Sequence, residues 1–254
     1  MNAFIFLLLS LLLPSLTLAS EIGYPLDKAP IDLTDQASLQ RGAKYFVNYC
    51  IGCHSLQYQR YNRMARDIGL TDDEVKKNLI FNPDTKVGET MKIGMPPKDA
   101  KKWFGAAPPD LSVIARARGS DYLYTYLRTF YVDPKRPWGV NNAAFPAVGM
   151  PHVLWELQGW PEPVYKAAEG GEGGGEHQSG GHEGEIVGVK VVKHGSMTPP
   201  EFDAAMADLV NFLTYVSEPI KLERQRIGFW VLAFLVVAFA VFYPLKKEYW
   251  KDVH

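Results

Sequence analysis

From Ile227 to Tyr243 the chain runs IGFWVLAFLVVAFAVFY, seventeen residues without a charge. At about 1.5 Å rise per residue this covers ~25 Å, the short end of a helix that spans a bilayer. Pro244 and Leu245 lengthen the run, and Trp230 and Tyr243 stand near its ends, where aromatic rings favour the interface. The alternative is a core helix of a soluble domain. A second apolar run, MNAFIFLLLSLLLPSLTLAS, opens the chain. It is short and ends in small residues, with Thr17-Leu18-Ala19 resembling a cleavage site, so residues 1–20 are predicted to be a secretory signal peptide. No Lys or Arg precedes the run, and a first membrane helix is the alternative; either sends the next segment across a membrane.

Between these runs the apolar positions recur at helical spacing in two places. Phe202, Met206, Leu209, Leu213 and Val216 form one stripe over Thr198–Pro219. Thr198 suits the N-cap there, Pro199 the first helical position, and Glu201 completes a capping box. Leu39, Ala43, Phe46 or Val47, and Cys50 form another, after a start that Thr34 or Asp35 can cap. Gly42 costs such a helix about 1 kcal/mol relative to Ala, which predicts a second helix crossing close at that point. Pro108-Pro109 followed by Asp110 is predicted to open a further helix. Ile186–Val192 alternates as a short strand or hairpin arm, and Thr125–Asn142 is aromatic-rich before it breaks into Pro and Gly. Ala168–Ile186 is low-complexity, glycine-rich and acidic, and reads as a flexible insertion rather than a metal site built on His177 and His182.

The 254 residues carry a net charge of −1, distributed unevenly. Residues 21–220 hold 25 acidic and 21 basic side chains, and residues 221–254 hold three and six. The outer portion therefore gives no reason to expect nucleic acid, and its mild acidity weakly suits a basic partner. Lys and Arg flank both sides of the C-terminal apolar run, so the signal must set the orientation. Residues 21–220 are then exported, 221–245 form the anchor, and 246–254 stay inside. No nucleophile–base pair, phosphate loop or paired carboxylates stand out.

The chemistry concentrates in YCIGCHSL. Cys50 and Cys53 are the only cysteines, and in an exported domain they could form a disulfide or a thioredoxin-like pair. His54 immediately after them makes the motif Cys-x-x-Cys-His, the attachment signature of c-type haem. Two thiols on one helical turn reach the two vinyl groups of one porphyrin, and the next residue turns its imidazole to the iron. A low-spin electron-transfer haem needs a sixth ligand, usually Met or His. Met91, Met95 and Met150 compete for that place, with His152 and His194 behind them; spacing from His54 leans slightly toward Met95, yet the residues alone leave Gly94-Met95-Pro96 and Gly149-Met150-Pro151 nearly balanced.

LQRGAKYFVNYCIGCHSLQYQRYNRMARDIGL resembles the haem-binding segment of the cytochrome c1 family, the c-haem subunits of ubiquinol–cytochrome c oxidoreductases. APPDLSVIARARG, FPAVGMPHVLWELQG, DLVNFLTYVSEP and YPLKKEYWKDVH are also similar to that family, in the same order, so the likeness runs from about Pro25 to His254 and is closest to proteobacterial members. The resemblance implies a mainly α fold: a class I cytochrome c-like haem domain with long loop insertions, plus a single C-terminal transmembrane helix. It implies one covalent haem c on Cys50 and Cys53, with His54 and Met150 as axial ligands and Met95 in a variable loop. By the same resemblance Arg118 would pair a haem propionate, with Tyr122 nearby; guanidinium matches a carboxylate bidentately. Arg116 is the weaker candidate, since residues two apart do not share a helix face.

What the resemblance implies about function is one-electron transfer from a Rieske iron–sulfur protein to a soluble or membrane cytochrome c, beside cytochrome b in a dimeric complex. The chain would be a redox subunit rather than an enzyme by itself, with its haem domain in the periplasm and its helix in the bacterial inner membrane. Three alternatives remain: a haem sensor with an open sixth site, a thiol–disulfide oxidoreductase, and a membrane cytochrome c that serves an oxidase.

Overall fold

A computed structural model describes residues 23–166 and 184–252. The predicted signal peptide and most of the glycine-rich segment, His177 and His182 included, lie outside the described residues. In chain order the elements are α1 (Gln36–Tyr45), which continues as a wider π-helical turn over Phe46–Cys50, β1 (Leu56–Arg60), α2 (Tyr61–Asp67), α3 (Asp72–Asn78), β2 (Thr90–Met91) and α4 (Pro97–Phe104). There follow α5 (Ile114–Arg118), α6 (Ser120–Arg128), β3 (Phe130–Val132), β4 (Val140–Asn142), α7 (Trp155–Gln158), β5 (Gly159–Tyr165), β6 (Ile186–His194), α8 (Pro199–Ser217) and α9 (Lys221–Tyr249).

The core lies where α1 crosses α8. Asp35 caps α1 by accepting from the Ser38 N–H at 3.0 Å. At the crossing a Cβ on residue 42 would overlap the Asp208 carbonyl oxygen and sit 2.6 Å from Phe212 Cβ, so only glycine lets the helices meet this closely. Arg41 grips both carboxylate oxygens of Asp208 at 2.6 and 2.9 Å, and Phe46 packs on Phe212 with ring centroids 5.9 Å apart. The five stripe residues of α8 are all buried. The Glu201 carboxylate accepts from the Thr198 N–H and hydroxyl at 2.8 and 2.7 Å, the arrangement its spacing predicts. Arg128, at the end of α6, bonds Asp203 on α8 and Asp27, tying the N-terminal segment to the bundle.

Three two-stranded antiparallel sheets trim this helical body. β1 pairs with β2 across an irregularity, β3 with β4, and β5 with β6 from Gly159 opposite His194 to Tyr165 opposite Ile186. The arm predicted over Ile186–Val192 is thus real, and its partner begins directly after α7. The helix predicted to open at Asp110 begins only at Ile114. Asp110 instead accepts from the N–H groups of Ser112 and Gln57, both at 2.9 Å, which spends its carboxylate on a turn.

α9 is one continuous helix of 29 residues, about 43 Å long, with Pro244 inside it and no residue buried against the rest of the chain. Its exposed Phe, Leu and Val side chains exclude the reading of a core helix. It is long and apolar enough to cross a membrane, and it runs past the predicted end of the span at 245.

Candidate functional site

A cavity of about 380 Å³ opens between the end of α1, the Phe104–Leu111 segment, α6 and the Phe145–Val153 loop. That size suits a bound cofactor. Its lining is nearly all apolar, interrupted by Tyr49, Cys50, Cys53, His54, Arg118, Tyr122, Tyr126 and Met150.

The cysteines come from the turn that ends the first helix. The N–H groups of Cys53 and His54 both donate to the Cys50 carbonyl, at 3.0 and 2.8 Å, so both sulfurs sit on one turn. Neither is in a disulfide. Burial, and then its neighbour Cys53, pushes the Cys50 thiol up to about 12. A thiol so reluctant to ionise is a poor nucleophile, which counts against thiol–disulfide exchange.

His54 Nδ1 lies 2.7 Å from the Pro109 carbonyl oxygen. A carbonyl can only accept, so Nδ1 carries the proton and Nε2 keeps its lone pair for a metal. Burial also holds the imidazole below its ordinary range, in the neutral form that ligates.

Met150 is half-buried and accepts a hydrogen bond from the Tyr126 hydroxyl at 3.4 Å. Tyr126 is fixed by stacking on Tyr122 (5.9 Å) and by the edge of Phe130 (5.2 Å), and burial raises its hydroxyl pKa. The loop that carries Met150 is built rather than loose. Asn142 accepts from the N–H groups of Ala144 and Phe145 and donates to the Tyr126 carbonyl. Arg136 donates to the Ala147 carbonyl at 2.9 Å. Ala147 has φ 61°, the one positive φ at a non-glycine among the described residues, and it sits three positions before the sulfur.

None of the other described methionines, and neither His152 nor His194, lines the cavity. Met64, Met91 and Met206 are fully buried in the core, and neither Met95 nor Met197 lines the cavity. His152 stacks flat on Phe130 with centroids 5.1 Å apart, outside the lining, and His194 is exposed on β6. Arg118 lines the cavity and its guanidinium carbon lies 5.7 Å from the Tyr122 ring centroid, whereas Arg116 does not line it.

The donor set is two sulfurs on one turn, an imidazole with Nε2 free, a thioether, and a cation at the rim of an apolar cavity. This fits haem c and does not fit a hard cation, which wants oxygen ligands. Among the described residues no group of three or more His, Cys, Asp and Glu could hold a metal ion.

Two contacts had no sequence signal. The Pro109 carbonyl is backbone, and Tyr126 is one of several tyrosines in an aromatic-rich stretch.

The family model described as the Cytochrome C1 family matches residues 27–159 and 187–253, which leaves out the glycine-rich segment. The chain is 54% identical over 244 residues to the cytochrome c1 of Allochromatium vinosum, covering 96% of each chain. It is 46% identical over 250 residues to the ammonia monooxygenase gamma subunit of Nitrosomonas europaea, covering 98% of each. To the cytochrome c1 of Blastochloris viridis it is 28% identical over 256 residues, covering 88% of this chain and 84% of that one.

Proposed function

The chain belongs to the cytochrome c1 family, and from that premise we propose that one haem c fills the cavity, bonded through Cys50 and Cys53 and ligated by His54 and Met150. Proteins of this family carry a covalently bound haem c and serve as the electron-transfer subunit of the bc1 complex with cytochrome b, without being enzymes by themselves. When bound, the haem supplies a one-electron couple. The chain's residues supply the rest. The Pro109 carbonyl orients His54, the Tyr126 hydroxyl and the Ala147 turn hold the Met150 sulfur, and the apolar lining keeps water out. Arg118 and Tyr122, at the rim, take a propionate.

The electron donor in this reading is a Rieske iron–sulfur protein and the acceptor a soluble or membrane cytochrome c, within a dimeric complex. The haem domain faces the periplasm, α9 spans the bacterial inner membrane over about 221–245, and residues 246–254 lie on the cytoplasmic side. The observation that carries the proposal is that Cys50, Cys53, His54 and the distant Met150 line one apolar cavity. Purification in mild detergent tests it: a low-spin c-type spectrum, with cytochrome b and a Rieske protein in the same particle, is expected. Oxidase or monooxygenase subunits in their place would overturn the assembly. Carbon monoxide binding without unfolding would overturn six-coordination by Met150.

A further inference from the structure

We propose that the mouth of the cavity is a docking face for an acidic one-electron carrier, a small redox protein whose own cofactor edge is ringed by Asp and Glu. The proposal rests on the haem reading of the cavity. Phe104, at the end of α4, lines the cavity, and Ala100 one turn earlier is buried, so that face of the helix is turned inward. Its other face presents Lys98, Lys101 and Lys102 to solvent, and none of the three has an ion-pair partner among the described residues. The Phe104 ring packs on Trp138 with centroids 5.6 Å apart, which joins the helix to the 133–139 turn. That turn carries Lys135, exposed, and Arg136, which holds the Met150 loop. Trp103, Trp138 and Phe145 are 56%, 44% and 44% exposed, large apolar side chains left open beside the cavity mouth.

Four exposed lysines, Lys98, Lys101, Lys102 and Lys135, thus stand on two segments that also expose Trp103 and Trp138 next to the lining residue Phe104, against two carboxylates there, Asp99 and Asp133. Asp133 is already engaged by the Lys135 N–H and the Asn141 carboxamide. Helix-dipole compensation accounts for Lys101 and Lys102 in the last turn of α4. It does not account for Lys98 in the first turn, where a cation is unfavourable, or for Lys135. A small apolar patch with a charged rim of one sign is the anatomy of a transient contact formed by electrostatic steering.

Of the 25 acidic residues in 21–220, five (Glu169, Glu172, Glu176, Glu183 and Glu185) fall in the glycine-rich 168–186 segment, so the total for 21–220 is not the charge that α4 and the 133–139 turn themselves carry. In the encounter the carrier would be reduced by the one electron that the bound haem would supply; no bond would form and no proton would move.

The test uses the full chain in detergent, reduced, mixed rapidly with anionic hexacyanoferrate(III) or cationic tris(phenanthroline)cobalt(III). In the triple variant K98E/K101E/K102E the hexacyanoferrate rate should fall about tenfold or more at low salt and the cobalt rate should rise, with both differences shrinking as salt increases. K76E/K77E, on α3 outside the cavity lining, should move neither. Rates unchanged in the triple variant, or moved alike for both oxidants, would overturn the docking face. The redox-inert anion hexacyanochromate(III) gives a readout without electron transfer: it should broaden the indole N–H resonances of Trp103 and Trp138 in the wild type and not in the triple variant. If the haem reading fails, no c-type spectrum appears and neither oxidant reacts with either protein. The broadening then decides the surface alone, and its absence overturns the proposal.

Discussion

Replacing Gly42 by Ala adds one methyl group where α1 crosses α8. The new Cβ would overlap the Asp208 carbonyl oxygen and lie 2.6 Å from Phe212 Cβ, against an ordinary contact of about 3.4 Å or more. The nearest atoms are backbone and a Cβ, so neither can swing aside, and the helices must part by roughly 1 Å. Overpacking of this kind costs about 1–3 kcal/mol, and rigid neighbours place it near the top of that range. Against it stands a gain of about 1 kcal/mol, because Ala is the better helix former. Packing wins, leaving a net loss of about 2 kcal/mol. For a chain of this size that lowers Tm by roughly 4–8 °C. Thermal scans in detergent at a fixed rate, followed by far-ultraviolet circular dichroism, measure the shift. Gly88→Ala, where a Cβ meets open space, is the control and should change little. A Tm unchanged or raised in Gly42→Ala would refute the close crossing on which the position of Cys50 depends.

Met150→Leu should abolish the far-red methionine–iron absorbance of the oxidised protein and Met95→Leu should leave it intact; the reverse pattern would move the ligand to Met95. Tyr126→Phe removes the hydrogen bond to the Met150 sulfur, worth about 0.5–1.5 kcal/mol. The sulfur then donates more strongly to ferric iron, so redox titration should find the potential about 20–60 mV lower, with the far-red band retained. Acid should destabilise the helical domain that precedes α9. Asp121 is held below its ordinary range by the Ala29 N–H and then by Lys28, and Glu201 by the Thr198 N–H and hydroxyl. A depressed folded-state pKa means the unfolded chain binds more protons. That stability is therefore complete above about pH 5 and is lost as pH falls through the lower folded values. Asp121→Asn should flatten the fall in Tm below pH 4.

Periodic features were legible because they are local. The stripe from Phe202 to Val216 needs only the 3.6-residue repeat, and Gly42 announced a close crossing because nothing else justifies glycine in mid-helix. Cys50, Cys53 and His54 form a motif within five residues. The choice between the two Gly-Met-Pro copies was different. Met95 and Met150 share the same tripeptide, and which one reaches the cavity depends on contacts between remote segments, such as Asn142 with the Phe145 turn and Arg136 with Ala147. The helix expected at Asp110 failed because its carboxylate found donors on Gln57, more than fifty residues earlier, that no local pattern announces.

Every role proposed for the cavity depends on one haem c held through Cys50 and Cys53. A pyridine haemochrome spectrum of the full chain, quantified against protein, tests it most directly. A c-type spectrum at one haem per chain, resistant to acid–acetone extraction and lost in Cys50→Ala/Cys53→Ala, is the predicted result. A chain without haem, or haem that acid–acetone removes, would contradict it.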